Sequence, residues 1–340
     1  MNAILMAGGE GTRLRSIWPD APKPMIPLLG RPVMERLLGL LRHNGVRRVR
    51  ASLRYMPGVI TEYFGDGSAF GLEMQYSVEG SPLGTAGGVR ACADFYGERD
   101  FFVLSGDAVC DFDLRALAEC HRRTGAAVTM ALADTETPTG YGLVLHDEHG
   151  FVQRFIEKPD WSRVVTDRVN TGIYVVSPRA MAFVPPKRPF DFAKDLFPRL
   201  LAAGEPIVGL PMQGYWRDIG TPRAYYRANL DALDGRVTLY GADGAPLPPL
   251  EEKAPAPENA EKPLRGGFVS EIPCASRAKL MRLLSERLLF EAGADFSDGL
   301  SLPGVHFAPS AEKEAVTVRA ADAAQLEKWE KLAKSFGKTV

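Results

Sequence analysis

Short apolar, β-branched segments alternate with amphipathic segments of helical period through the first two thirds of the chain, and this alternation restricts the fold more than any other feature. ILMA (4–7), VRRVRASL (46–53), FFVLSGD (101–107), AVTMALA (127–133), YGLVLHD (141–147) and GIYVVS (172–177) predict strands. Between them, PVMERLLGLLRHNG predicts a helix that ends at Asn44–Gly45, and DLRALAECHRRTG predicts another with Asp113 as N-cap and Gly125 as stop. The expected class is α/β: a Rossmann-like, mostly parallel sheet with helices on both faces, whose ligands sit beyond the carboxyl ends of the strands.

The 340 residues accommodate one large domain of this kind plus a smaller unit. Near residue 235 the pattern stops, and DGAPLPPLEEKAPAPENAEKP (243–263) reads as a semi-rigid linker because it has almost no large apolar residue. The expected organisation is a domain over 1–240, a Pro/Ala/Glu-rich linker over 241–264, and a small α+β domain over 265–340. Within the last, helices over 276–292 and 322–336 and a strand over 315–319 are predicted.

A formal net charge of −1 gives no general attraction to nucleic acid or to an anionic membrane, so neither is an expected partner. The densest basic run, Arg42, Arg47, Arg48 and Arg50, reads as a solvated helix end and strand edge. The cysteines at 92, 110, 120 and 274 are too widely spaced for a disulfide framework, and reduced thiols in a cytoplasm are expected. The opening apolar stretch is too short for a signal peptide or a membrane span.

The first strand delivers the chain into MAGGEGTRLR (6–15). Glycines after a strand let backbone approach a phosphate closely and turn loop N–H groups inward. A dinucleotide fingerprint would need a third glycine where Leu14 stands, and the Gly-Lys-Thr at 337–339 has Leu332 where a Walker loop needs glycine. Instead, Arg13 supplies a mobile cation at the loop end, and Lys23 follows between Pro22 and Pro24, on backbone stiff enough for a phosphate clamp.

With these residues the chain resembles the sugar-1-phosphate nucleotidyltransferase family, whose pattern G-G-x-G-T-R-L followed by P-K is met by Gly8, Gly9, Gly11, Thr12, Arg13, Leu14 and then Pro22–Lys23. The likeness continues to about residue 235 through EGSPLGTAGG (79–88), LSGDAVCDFDL (104–114), FIEKPDW (155–161), VNTGIYV (169–175), FDFAKDLFPRLL (190–201) and GYWRDIGTPRAY (214–225). It is most similar to the bacterial branch that joins a mannose-1-phosphate guanylyltransferase domain to a phosphomannomutase-like region. In the tail, IPCASRAKLMRLLSE, SDGLSL and APSAEKEAVTVRA are similar to the last domain of a hexose-phosphate mutase. That family's phosphate loop runs R-P-S-G-T-E-P; here Ala308, Glu312 and Lys313 replace its arginine, threonine and glutamate, so the tail is expected to be a remnant without a second active site.

The resemblance implies the nucleotide-diphospho-sugar transferase fold and a reaction in which a hexose-1-phosphate attacks the α-phosphate of a nucleoside triphosphate. Such chemistry needs cations, a divalent metal and N–H donors more than it needs a nucleophile. It implies Arg13 and Lys23 as catalytic cations, and Asp107 and Asp218 as holders of Mg²⁺. Nucleotide contacts are implied for Gly8, Gly9, Gly11, Thr12, Glu79, Gly84, Thr85, Ala86 and Gly87. The sugar phosphate is assigned to Gly142, Glu157, Lys158, Asn170 and Thr171. GTP and mannose-1-phosphate are the expected substrates; glucose-1-phosphate with UTP or dTTP, or a catalytically silent regulatory subunit, is the alternative. A homodimer is the expected assembly. Asp111 and Asp113 read as turn and cap residues, and His146 and His149 as a solvent-facing pair.

Overall fold

In a computed structural model the described residues are 1–14, 18, 21–135 and 137–248, together with the backbone of four strands farther on. Besides a minimal pair of two-residue strands, Pro27–Leu28 with Arg31–Pro32, eleven strands precede residue 220 among the described residues: β1 Asn2–Met6, β2 Arg48–Leu53, β3 Glu73–Val78, β4 Phe101–Ser105, β5 Ala108–Cys110, β6 Val128–Asp134, β7 Gly142–His146, β8 Val152–Glu157, β9 Arg168–Val176, β10 Ile207–Pro211 and β11 Trp216–Asp218. Nine of them form one sheet in the order β8-β7-β9-β4-β1-β2-β3, with β6 on the other edge of β9 and β10 beside β6. Only β8 and β9 run against the other seven, so the sheet is mixed but mostly parallel.

The alternation along β1 shows why helices cover both faces. Ala3, Leu5 and Ala7 point into one core with α1 (Val33–His43), α2 (Pro57–Phe64) and the start of α4 (Leu114–Thr124). Ile4 points into the other, with α3 (Gly84–Arg90), the π-helical turn Phe192–Leu196 and α5 (Phe197–Ala202). Each such Leu, Ile or Phe removed from water contributes about 1.5 to 3 kcal/mol. The expected punctuation of the helices holds: α1 stops at Asn44, Gly45 turns at φ +83°, the Asp113 carboxylate accepts from the Arg115 N–H, and Gly125 closes α4 at φ +60°.

Of the basic run, Arg47 and Arg48 are exposed as expected, whereas Arg42 and Arg50 are half-buried and engaged. Arg42 donates to the carbonyls of Phe70 and Ala242, and Arg50 pairs with Asp94 at 2.6 Å while lying 4.8 Å over the Phe95 ring. The proposed linker also begins later than expected. Tyr240 bridges Pro246, the Leu247 N–H donates to Leu239, and the backbone at 240–241 lies where a Cβ on Gly39 of α1 would stand, 2.6 to 2.7 Å away. Residues 241–248 are thus docked on α1, and the rest of the linker lies outside the described residues. Beyond it, β12 Phe268–Pro273, β13 Leu300–Leu302, β14 Val305–Pro309 and β15 Ala315–Ala320 form an antiparallel sheet in the order β12-β15-β14-β13. The helices expected over 276–292 and 322–336 lie outside the described residues. Among those that are described, no helix is long and apolar enough to cross a membrane.

His121 of α4 is buried between the hydroxyls of Thr129 (2.9 Å) and Ser177 (3.0 Å). Burial lowers its pKa, outweighing Asp100 at 3.6 Å. A lowered folded pKa means the unfolded chain takes up the proton first. The stability contribution is therefore full above the unfolded value of about 6.5 and is lost as pH falls from there toward the folded value, by up to about 1.4 kcal/mol per pH unit. Denaturant titrations between pH 7.5 and 5 should show this loss in the wild type and a shallower one in His121→Gln; parallel curves would remove His121 as the cause.

Candidate active site

β1 and β4 pair in register Met6↔Ser105, so the loops leaving their carboxyl ends emerge side by side, and the Gly106 N–H donates to the Met6 carbonyl at 3.0 Å. One loop carries the glycines and the other Asp107. Between them opens a cavity of about 200 Å³ lined by Gly9, Gly11, Thr12, Arg13, Lys23 and Asp107, among others. Gly11 sits at φ +58°, and a Cβ there would stand 2.9 Å from that of Lys23, so neither the turn nor the approach of the lysine tolerates a side chain. Leu14, fully buried, anchors the far end of the loop.

Lys23 is held on a 3₁₀ turn, Lys23–Met25, backed by α6 (Pro222–Leu233). The Tyr225 hydroxyl donates to the Pro27 carbonyl at 2.7 Å, and the Leu29 N–H donates to the Asn229 side chain. The lysine is 8% exposed, and its Nζ lies 2.7 Å from both Asp107 Oδ2 and Asp218 Oδ1. Burial opposes the ammonium charge, but the two carboxylates outweigh it and hold the Lys23 pKa above its usual value. Asp107 moves the other way: against its own burial, Lys23 and the 2.8 Å hydrogen bond donated by Ser105 keep its carboxyl below the usual range. Asp218 arrives from β11, which pairs with β5 so that Asp218 lies opposite Ala108. Gly220 keeps space beside it, since a Cβ there would come within 2.9 Å of Arg13 Nη2 and of Asp218 Oδ2. Arg13, Lys23, Asp107 and Asp218 are thus brought together from four separate stretches of chain.

The sugar candidates gather at the end of the β7–β8 hairpin. Gly142 pairs with Glu157, and a Cβ on it would stand 2.3 Å from the Phe155 ring and 2.9 Å from the Glu157 carboxylate. Burial raises the Glu157 pKa. Lys158 is 64% exposed at φ +41°, with Nζ 4.0 Å from Glu157 and its N–H bonded to the Tyr141 carbonyl. The Tyr141 ring meets Trp216 edge-on at 5.3 Å, which links this group to β11 and Asp218. Asn170 stands on the adjacent strand β9, donating to the Tyr174 hydroxyl and accepting from the Gly172 N–H. Thr171, by contrast, is buried, and its hydroxyl donates to the Ala131 carbonyl. Period-2 alternation puts neighbours on a strand on opposite faces, and only one face meets the site.

The segment assigned to the base is tied closely to the rest of the domain. Glu79 accepts from Ser52 Oγ at 2.8 Å and from the Leu83 N–H at 3.1 Å, Thr85 donates to Asp191, and Ala86 is fully buried. A Cβ on Gly84 or Gly87 would meet the backbone at 188–190 within 2.8 Å. These side chains and close-packed glycines fasten the loop to the domain.

The sequence alone gives no role to Ser105, Tyr141 and Gly220, and reads Asp111 only as a turn residue, although all four lie inside quoted motifs. Asp111 and Tyr141 act through contacts distant in sequence, and Ser105 and Gly220 matter only because the carboxylates beside them, Asp107 and Asp218, converge on Lys23. His146 accepts a hydrogen bond from Arg168, and no group of three or more His, Cys, Asp or Glu among the described residues could hold a metal. Two carboxylates facing a cavity do suit a hard cation that completes its shell with phosphate oxygens and water, so Asp107 and Asp218 fit a divalent metal that arrives with a polyanion.

A glycine loop with two cations and paired carboxylates, set where strands of a mostly parallel sheet end, defines a protein of the phosphate-handling α/β class. Comparison with known proteins narrows the class. The nucleotidyl transferase family model matches residues 2–235, and the chain belongs to that family. It is 37% identical over 262 residues to a UTP–glucose-1-phosphate uridylyltransferase of Synechocystis sp., covering 73% of this chain and 68% of the relative. It is likewise 37% identical over 236 residues to a mannose-1-phosphate guanylyltransferase of Mycobacterium tuberculosis, covering 69% and 65%. A mannose-1-phosphate guanyltransferase of Candida albicans is 31% identical over 280 residues. The chain thus spans about two thirds of the length of the first two relatives. Among solved structures, HddC from Yersinia pseudotuberculosis complexed with GMP-PN matches with TM-score 0.59 and 27% identity over 68% of this chain and 98% of that one. A UDP-glucose pyrophosphorylase complexed with UDP-glucose, 17% identical with TM-score 0.60, shares the fold.

Proposed function

We propose that the chain transfers a nucleotidyl group from GTP to mannose-1-phosphate, giving GDP-mannose and pyrophosphate. A phosphate oxygen of the sugar phosphate forms a bond to the α-phosphorus, and the bond from that phosphorus to the bridging oxygen breaks as pyrophosphate leaves. The observation that carries the reading is the convergence of Lys23, Asp107 and Asp218 beside a glycine loop and Arg13. Asp107 and Asp218 would hold Mg²⁺, which supplies positive charge against the transferring phosphoryl group. Lys23 and Arg13 bind and orient the triphosphate, and the loop N–H groups donate to its oxygens. Glu157 and Asn170 accept and donate hydrogen bonds at the sugar, with Lys158 on its phosphate. We assign this chemistry to the cytoplasm, with a homodimer as the working assembly.

The Mycobacterium tuberculosis and Candida albicans relatives support guanylyl transfer to mannose-1-phosphate. The equally similar Synechocystis relative keeps uridylyl transfer to glucose-1-phosphate as the second reading. Purified protein incubated with each common nucleoside triphosphate and a panel of hexose-1-phosphates, with pyrophosphate release followed, should give its highest kcat/KM for GTP with mannose-1-phosphate. A preference for UTP with glucose-1-phosphate would select the second reading, and no release with any pair would favour a silent binding subunit.

The C-terminal unit is proposed to be a mutase-like remnant. Mannose-6-phosphate and mannose-1-phosphate should not interconvert, as a coupled assay would show. A chain cut after residue 248 should keep nucleotidyl transfer, whereas a cut at 240 removes contacts that dock the chain on α1.

A further inference from the structure

The turn that follows β5 carries a carboxylate bonded to two segments more than a hundred residues farther along the chain. Asp111 Oδ1 accepts from the Tyr215 N–H at 2.5 Å, and Oδ2 accepts from the Thr238 N–H at 2.8 Å. The Asp111 N–H in turn donates to the Tyr215 carbonyl at 3.1 Å. Gly214 leaves room for this contact: its φ is +116°, and a Cβ there would stand 2.6 Å from Asp111 Oδ1. β5 and β11 form a separate two-stranded ribbon, with Trp216 opposite Cys110 and Asp218 opposite Ala108. Asp111 closes one end of that ribbon. Asp107 and Asp218 stand at the other end, both on Lys23.

A ribbon this short has few ladder bonds to set its register, and a slip of one residue would turn Asp218 to the opposite face. We propose that Asp111 is a positioning residue: by fixing Tyr215 it sets the β5–β11 register and so aims Asp218 with Asp107 at the metal and the triphosphate. This inference rests on the proposed function, since it deepens the role of the same two carboxylates. Asp113, two residues on, serves as its control, because it caps α4 and makes no bond to β11.

Three proteins are compared: the wild type, Asp111→Asn, and Asp113→Ala, which loses stability through the helix cap alone. The readouts are the Mg²⁺ concentration that gives half-maximal pyrophosphate release at saturating substrates, and Mn²⁺ binding in the presence of GTP followed by electron paramagnetic resonance. Asp111→Asn should raise the half-saturating Mg²⁺ concentration and weaken Mn²⁺ binding about tenfold, in line with loss of groups that orient metal ligands. Asp113→Ala should leave both near wild type. If Asp111→Asn unfolds, Gly214→Ala, which pushes on the same contact from the other side, should give the same shift. Metal dependence in the folded Asp111→Asn or Gly214→Ala protein that matches Asp113→Ala overturns the proposal. An inactive wild type that still binds Mn²⁺ with GTP counts against the functional reading and not against this one, because the binding arm still discriminates the variants.

Discussion

Asp218→Asn is expected to lower kcat by about a thousandfold while the fold is kept, the scale for losing one charged contact to a transferring phosphoryl group together with a metal ligand. Asparagine has the same shape, so the space beside Gly220 and the β11 pairing with β5 need not change. What is lost is the charge. Lys23 then has Asp107 as its remaining carboxylate, and the proposed metal site would keep one anionic ligand in place of two. Asp218 is about a third exposed, so the effect on stability should be small beside the effect on turnover. Steady-state assays at saturating substrates across a Mg²⁺ series, beside a melting curve, measure both. Turnover within tenfold of wild type would take Asp218 out of the metal site, and activity that survives a chelator would take the metal out of the mechanism.

The second large effect separates the two lysines. Lys158 is exposed and belongs to the hairpin group around Gly142 and Glu157, whereas Lys23 is buried against the two carboxylates and the glycine loop. Lys158→Ala should raise KM for the sugar-1-phosphate by a factor of roughly ten to a hundred, the equivalent of about 1.5 to 3 kcal/mol for a lost charge-assisted contact. KM for the triphosphate should stay within twofold. Lys23→Ala should lower kcat by a comparable or larger factor, because that cation meets charge that grows as pyrophosphate departs. It also leaves Asp107 and Asp218 facing each other without the ammonium between them, so a stability loss and a raised Asp107 pKa should accompany it. Varying each substrate in turn distinguishes the two patterns. Equal changes in both KM values for Lys158→Ala would mean that the sugar does not lie on the hairpin.

The parts of the fold that were legible in the sequence are those decided by local chemistry. Asp113 and Gly125 mark the ends of α4 because capping and a left-handed turn are settled within one helical turn. β4 reads as a strand because both its faces are buried. β3, EMQYSV, does not, because it is an edge strand with polar side chains on its outer positions, and β11 is three half-buried residues whose partner lies more than a hundred positions away. The site followed the same division. The glycine loop and Lys23 announce a phosphate by their own residue types. That Asp107 and Asp218 belong to one site came only from resemblance to a family, and that both lie on Lys23 only from the structure, since no spacing rule connects residues so far apart. Asp111 looked like turn chemistry because it is that as well, and its two long bonds leave no local trace.

The distance along the chain between Lys23 and Asp218, 195 residues, also bears on how the protein comes into being. At synthesis rates of about 5 to 20 residues per second, the lysine leaves the ribosome roughly 10 to 40 seconds before its second carboxylate exists. During that interval β1, β2, β3 and β4 can assemble into their parallel half-sheet, but the cavity beside the glycine loop lacks a wall and Lys23 is open to water. The site proposed for a triphosphate is therefore complete only once β11 adds to β5 and α6 lies beside the lysine turn. A chain stalled before residue 218 carries the glycine loop and Lys23 without the second carboxylate.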